Sequence, residues 1–310
     1  MRPAAAVLLL SISAPLPALE PPGQALRLER SRGGLAVVAA ELGGETLRLA
    51  LDTGTSRSMI AGGVAARLGL AARARFAVVT AAGPERTALC AGPLAVRVAG
   101  VALAVDCLGW IPAEPLLAGA EDVDGLLGAD ALSGVDLWID LGRGRARVAP
   151  AGALAPWIEG ERLPLQLIER RPAVTIALPE LGRGAPARLV LDSGADRTLL
   201  FGELARRAAR SLGGPGLPGR LSTAAGGAAL DTVALGEVRA GAARIDGGHA
   251  GLLPAVLDRG EDGLLPLAAL GPVLLDLAGG SLVVGARLRA RPVAPPPGPA
   301  AGEAVAALPD

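Results

Sequence analysis

Lysine, asparagine and tyrosine are missing from the 310 residues, aromatic side chains make up 2%, and histidine occurs once, as His249. Each shortage removes a class of chemistry. One histidine and two cysteines are too few for the His and Cys clusters that hold zinc. His249 sits in the loop-like stretch Asp246-Gly247-Gly248-His249, without a recognisable catalytic context, which leaves a Ser-His-Asp hydrolase without its base. Acidic and basic residues balance at 30 each, and the sequence pI is about 6.6. That balance removes the electrostatic case for a nucleic-acid binder or a polybasic membrane anchor. No apolar run is long enough to span a bilayer: Ala4 to Ala14 is too short, and residues 263–275 are short and carry prolines. What remains is carboxylate chemistry in a chain 51% apolar, with mean hydropathy +0.45 and length enough for two domains.

The ends of the chain differ from its middle. Residues 1–18 read as a secretory signal: Arg2, a short apolar run, then Pro15, Leu16, Pro17 and Ala18 ahead of Glu20. An exported protein, periplasmic or secreted, is expected. In an oxidising compartment Cys90 and Cys107, with 16 residues between them, would pair as a disulfide, the alternative being two buried thiols. Residues 291–310 are rich in proline and alanine without periodicity and read as a disordered tail.

Between the ends the chain repeats itself once. Leu49-Ala50-Leu51-Asp52-Thr53-Gly54 returns 140 residues later as Leu189-Val190-Leu191-Asp192-Ser193-Gly194. Thr80-Ala81-Ala82-Gly83 returns as Thr223-Ala224-Ala225-Gly226, Asp124-Gly125-Leu126-Leu127 as Asp262-Gly263-Leu264-Leu265, and Ile139-Asp140-Leu141 as Leu275-Asp276-Leu277. Order and spacing are kept, as two copies of one fold with altered loops would keep them. Each copy reads mostly as β, with alternation at Leu35–Glu41, Leu47–Leu51, Leu94–Val98 and Val101–Cys107. One main helix follows each Asp-x-Gly motif, at Gly62–Leu68 and Phe201–Leu212, with shorter pieces at Ala129–Ser133 and Leu267–Leu270. The copies span 25–150 and 162–290, joined by a linker at 151–161.

In the repeated motif two hydrophobic residues deliver an Asp into a tight turn. Gly54 and Gly194 can take backbone angles closed to other residues and let a second segment come close. The hydroxyls of Thr53 and Ser193 can bond across to the partner loop. One such tripeptide is weak evidence; two at equivalent repeat positions are strong. On these residues the chain resembles the retropepsin-like aspartic proteases, with two such domains in one chain in the manner of the pepsins. Asp192-Ser193-Gly194-Ala195-Asp196 is close to the retroviral form, and Asp52-Thr53-Gly54-Thr55-Ser56 is similar to the pepsin and bacterial forms. Asp124-Gly125-Leu126-Leu127-Gly128 matches the family's second signature, which supports the catalytic loop from beneath. The second copy departs there, reading Leu264-Leu265-Pro266. Proline fixes φ and has no N–H, which leaves the geometry of the second catalytic loop open.

The resemblance implies two β-barrel lobes that pair within one chain as a pseudo-dimer. It implies Asp52 and Asp192 as a catalytic pair, braced by Thr53, Gly54, Ser193 and Gly194, with flap hairpins at Ala82-Gly83 and Ala225-Gly226 over a peptide or protein substrate. Two carboxylates close enough to share a proton hold a water between them, and neither a cofactor nor a metal is required. A monomer with paired lobes is expected. The bland reading keeps Asp52 and Asp192 as turn-capping carboxylates in a non-catalytic peptide-binding protein of the same fold. A third reading pairs only first lobes between chains. Asp124 and Asp262 read as turn residues, Asp196 as an ion-pair or substrate contact, and Arg206, Arg207 and Arg210 as a solvated helix face.

Overall fold

The computed structural model describes residues 20–80, 85–112, 121–181, 186–212, 217–223, 226–255 and 260–293. The leader-like residues 1–18 and most of the tail-like segment, 294–310, lie outside them. Among the described residues no helix is long and apolar enough to cross a membrane.

Strands form where alternation and β-branched residues coincide. Ala36–Leu42 runs antiparallel to Glu45–Leu51, closed by Gly43-Gly44 with φ of 61° and 84°. That is the positive-φ turn a two-residue hairpin demands. Leu47, Leu49 and Leu51 then fall on one face at the period of two and are buried together. The hairpin's second strand ends at Asp52. It lies parallel to Gly125–Leu127, which in turn runs antiparallel to Met59–Ile60. The second half builds the same arrangement: Ala187–Asp192 is parallel to Gly263–Pro266, which is antiparallel to Leu199–Phe201. Both candidate carboxylates therefore sit at the end of an interior strand, where neighbours on both sides fix the backbone.

The main helices lie at Gly62–Arg67 and Gly202–Ser211, with a short α-helix at Ala129–Leu132 and a 3-10 turn at Leu267–Leu270, close to where the sequence places them. On the longer helix Ala205 and Ala208 face the core, and Arg206 and Arg210 pair with Glu203 in solvent. Arg207 departs from the expected solvated face, donating instead to the Leu181 carbonyl at 3.1 Å.

A six-stranded antiparallel sheet ties the halves together, in the order Gln24–Arg27, Arg145–Pro150, Val135–Asp140, Val273–Asp276, Ser281–Leu288, Ile158–Pro164. Three strands come from each half, and the two central ones meet along the register Asp136 to Asp276 and Ile139 to Val273. Residues 158–161, read as linker from sequence, begin the last of these strands. Asp136 and Asp276 face each other, both buried. Asp136 accepts the Gly152 and Leu154 N–H groups at 2.9 and 2.7 Å, and Asp276 accepts that of Gly279 at 2.7 Å. Cys90 and Cys107 form a disulfide in the first half, with Cα atoms 5.4 Å apart.

Candidate active site

The two Asp-containing loops meet between the halves and are bolted together by four hydrogen bonds. The N–H of Thr53 donates to Ser193 Oγ at 3.0 Å, and the N–H of Ser193 donates to Thr53 Oγ1 at 3.0 Å. Each hydroxyl then donates onward into the other half, Thr53 to the Leu191 carbonyl at 2.7 Å and Ser193 to the Leu51 carbonyl at 2.9 Å. Both side chains are buried, so each bond is made where water cannot substitute for it.

The brace brings Asp52 and Asp192 against each other. A Cβ added to Gly54 would lie 2.5 Å from Asp192 Cγ, so only a residue without a side chain fits. Around Gly194 the contacts are looser, 3.3 Å to Asp192 Oδ1 and 3.7 Å to Asp52 Cγ. Neither glycine takes a positive φ. The sequence reading assigned them unusual backbone angles; close approach at Gly54 is the reason instead.

The carboxylates are half-buried and differ in their donors. Asp52 Oδ2 accepts the Thr55 hydroxyl at 2.8 Å. Asp192 Oδ1 accepts the N–H groups of Gly194 and Ala195 at 2.7 and 3.1 Å. Burial pushes Asp192 up to about 7, and the neighbouring Asp52 charge adds to it. Asp52 is also raised by burial, with the Thr55 hydroxyl and nearby N–H groups opposing. A pair that resists losing its second proton can hold one ionised and one protonated member together.

Support from beneath is asymmetric. In the first half Asp130 Oδ1 accepts the Ser58 N–H at 2.8 Å, the Ser58 hydroxyl at 2.7 Å and the Ala131 N–H at 2.8 Å. Ser58 Oγ accepts the Gly128 N–H at 3.0 Å, and the Ala129 N–H reaches the Thr55 carbonyl at 2.8 Å. A Cβ on Gly128 would stand 2.6 Å from the Arg57 carbonyl carbon. In the second half Pro266 takes the equivalent place, at φ −57° and ψ 124°, with Asp192 opposite it in the ladder. An extended φ is the one proline already holds, so the loop keeps its cross-bonds despite the missing N–H.

Other sequence candidates fall into place as structure. Asp124 and Asp262 make matching ladder contacts, accepting the N–H of Arg48 at 2.8 Å and of Arg188 at 2.7 Å. Asp196 pairs with Arg197 at 2.8 Å. His249 is exposed at the start of His249–Leu253 rather than in a loop. Ala82, Gly83 and Ala225 lie outside the described residues, and Gly226 pairs with Thr223 at the end of the hairpin Leu217–Thr223 and Gly226–Ala234. The hairpin Ala74–Val78 and Arg86–Ala91 touches the first loop through Arg57, whose guanidinium lies 5.0 Å from the Phe76 ring centre. Thr55, Asp130 and Arg171 were not singled out from sequence. Thr55 lies inside the motif and was legible there; the others act across distant strands.

A family model described as aspartyl protease matches residues 38–131 and 179–268. No curated protein matches the chain. Among solved structures, the aspartic proteinase from Irpex lacteus is similar over 85% of this chain and 98% of its own, with TM-score 0.51 and 14% identity. That likeness is one of fold.

Proposed function

The chain belongs to the aspartyl protease family, and from that premise we propose that it is an aspartic endopeptidase working through Asp52 and Asp192. The observation that carries the reading is the meeting of two carboxylates under reciprocal Thr53 and Ser193 cross-bonds, with Asp192 raised to about 7. Asp52, steadied by Thr55, is the better anion and takes a proton from a water held between the pair. Asp192 keeps its proton and donates it toward the scissile carbonyl oxygen as the water oxygen attacks the carbonyl carbon. The C–N bond then breaks as the amine leaves with the proton taken by Asp52, and Asp192 recovers its own. The substrate lies extended, bound through backbone in strand fashion. The same reading takes the chain as an exported monomer, supported by its leader-like first residues, the Cys90–Cys107 bridge and the sheet shared between halves.

The test is cleavage of an unfolded protein by Asp52→Asn and Asp192→Asn. Each variant should keep its fold by circular dichroism and lose about 10²- to 10⁴-fold in turnover. Full activity in either single variant sinks the two-carboxylate reading.

A further inference from the structure

The repeat allows the halves to be compared position by position, and one difference stands out near the site. Register sets the correspondence. Val37 faces Ala50 as Ala173 faces Val190, and Leu49 faces Gly125 as Leu189 faces Gly263. Leu35 therefore corresponds to Arg171, and Val123 to Glu261. In the first half Leu35 and Val123 pack on an apolar cluster that includes Val37, Ala50 and Leu126. In the second half the same two places hold a buried, two-pronged ion pair, Arg171 to Glu261 at 3.0 and 3.1 Å, with side-chain exposures of 6% and 0%.

Such a pair is a poor stabiliser. Burying both charges costs desolvation that their attraction barely returns, and an apolar pair of similar volume does as well or better. The first half shows that this fold accepts the apolar pair. The ion pair also sits on an unusual hairpin. Ile168 faces Arg171 across a two-residue turn whose central residues, Glu169 and Arg170, have φ of 49° and 71°. Glycine and asparagine hold those angles more easily than charged side chains. The tip nonetheless carries charge on every residue: Arg170 reaches Asp106 of the first half at 3.4 Å, and Glu169 adds a second carboxylate to Arg171 at 3.2 Å.

Arg171 stands at the Asp192 end of its strand pair. We propose that Arg171, clamped by Glu261, is a positioning residue for the catalytic pair: a fixed buried cation, built into the second half alone, that draws the working state of Asp52 and Asp192 toward more acid pH. This rests on the aspartic endopeptidase reading and names a further part of that site. The Arg171 guanidinium favours ionisation of both carboxylates, while burial opposes it. The remaining polar groups at the pair are the Thr55 hydroxyl and the N–H groups of Gly194 and Ala195. In the same loop Asp196 and Arg197 neutralise each other.

The experiment compares the pH dependence of kcat/KM for the wild type, Arg171→Leu/Glu261→Val, Arg171→Gln/Glu261→Gln and Arg171→Lys. The two neutral pairs should move both limbs of the profile to higher pH by about half a unit or more, and Arg171→Lys, which keeps the charge, should stay near the wild type. A purely structural role would change the melting temperature and leave the limbs in place. Limbs that coincide in whichever neutral pair folds overturn the proposal. Asp-labelled carbon-13 NMR titration of the carboxyl groups reads the same shift without turnover. An inactive wild type would therefore count against the endopeptidase reading, and an unmoved titration against this one.

Discussion

At the scale of single residues, the site depends on what is missing from Gly54 as much as on what Asp52 and Asp192 bring. The Asp192 carboxylate occupies the place a Gly54 side chain would need. Gly54→Ala should therefore push the loops apart, costing about 1–3 kcal/mol and most of the activity. Gly194→Ala, with its nearest atoms at 3.3 Å and beyond, should be milder. Urea melts and turnover of the two variants check the contrast, and equal losses would mean the crowding at Gly54 is not what matters. The doubled motif made both aspartates legible in the sequence, together with the hydroxyls that brace them. The reason for Gly54 was not legible, because it lies in a contact 138 residues away along the chain.

At the scale of elements, the two halves reach one geometry by different means, and that difference is testable. Gly128 is pressed against the Arg57 backbone, while Pro266 at the matching place needs no unusual angle. Gly128→Ala should cost stability and activity together. Pro266→Gly should leave turnover nearly unchanged and lower stability by about 0.4–1 kcal/mol, through the looser unfolded chain. A large gain in turnover from Pro266→Gly would show that proline distorts the second loop after all. The Cys90–Cys107 bridge closes a short loop in the first half, and Cys90→Ala/Cys107→Ala should cost about 3 kcal/mol in denaturant melts by the chain-entropy argument. Strands and helices were legible because period, β-branched residues and glycine turns agree along each copy. Arg171 with Glu261 and Ser58 with Asp130 were not, since 90 and 72 residues separate the partners and only the ladders bring them together.

At the scale of the whole molecule, the unusual carboxylates set how stability follows pH. Asp192 holds its proton to about 7 in the folded chain against an ordinary value of 3.8. Burial also raises Asp52, Asp130 and Asp136, the last with help from Asp276 across the shared sheet. For such groups the folded state binds more protons than the unfolded chain. Their contribution is complete below the ordinary Asp range and is lost as pH rises, for Asp192 across the window from about 4 to about 7. The loss from Asp192 is on the order of a few kcal/mol. Asp140 works in the opposite sense: against its burial, Arg145 and Arg143 hold it below the ordinary value, so its contribution is lost only as pH falls further. Stability should therefore peak in mildly acid solution and decline toward neutrality, where turnover also falls as the pair loses its shared proton. Denaturant midpoints measured from pH 3 to pH 8 should show that decline in the wild type, and Asp192→Asn, which has no proton to lose there, should flatten it. A wild-type midpoint that stays level or rises between pH 5 and pH 8 would mean that the buried carboxylates are ionised in the folded chain, and the shared-proton account of Asp52 and Asp192 would fall with it.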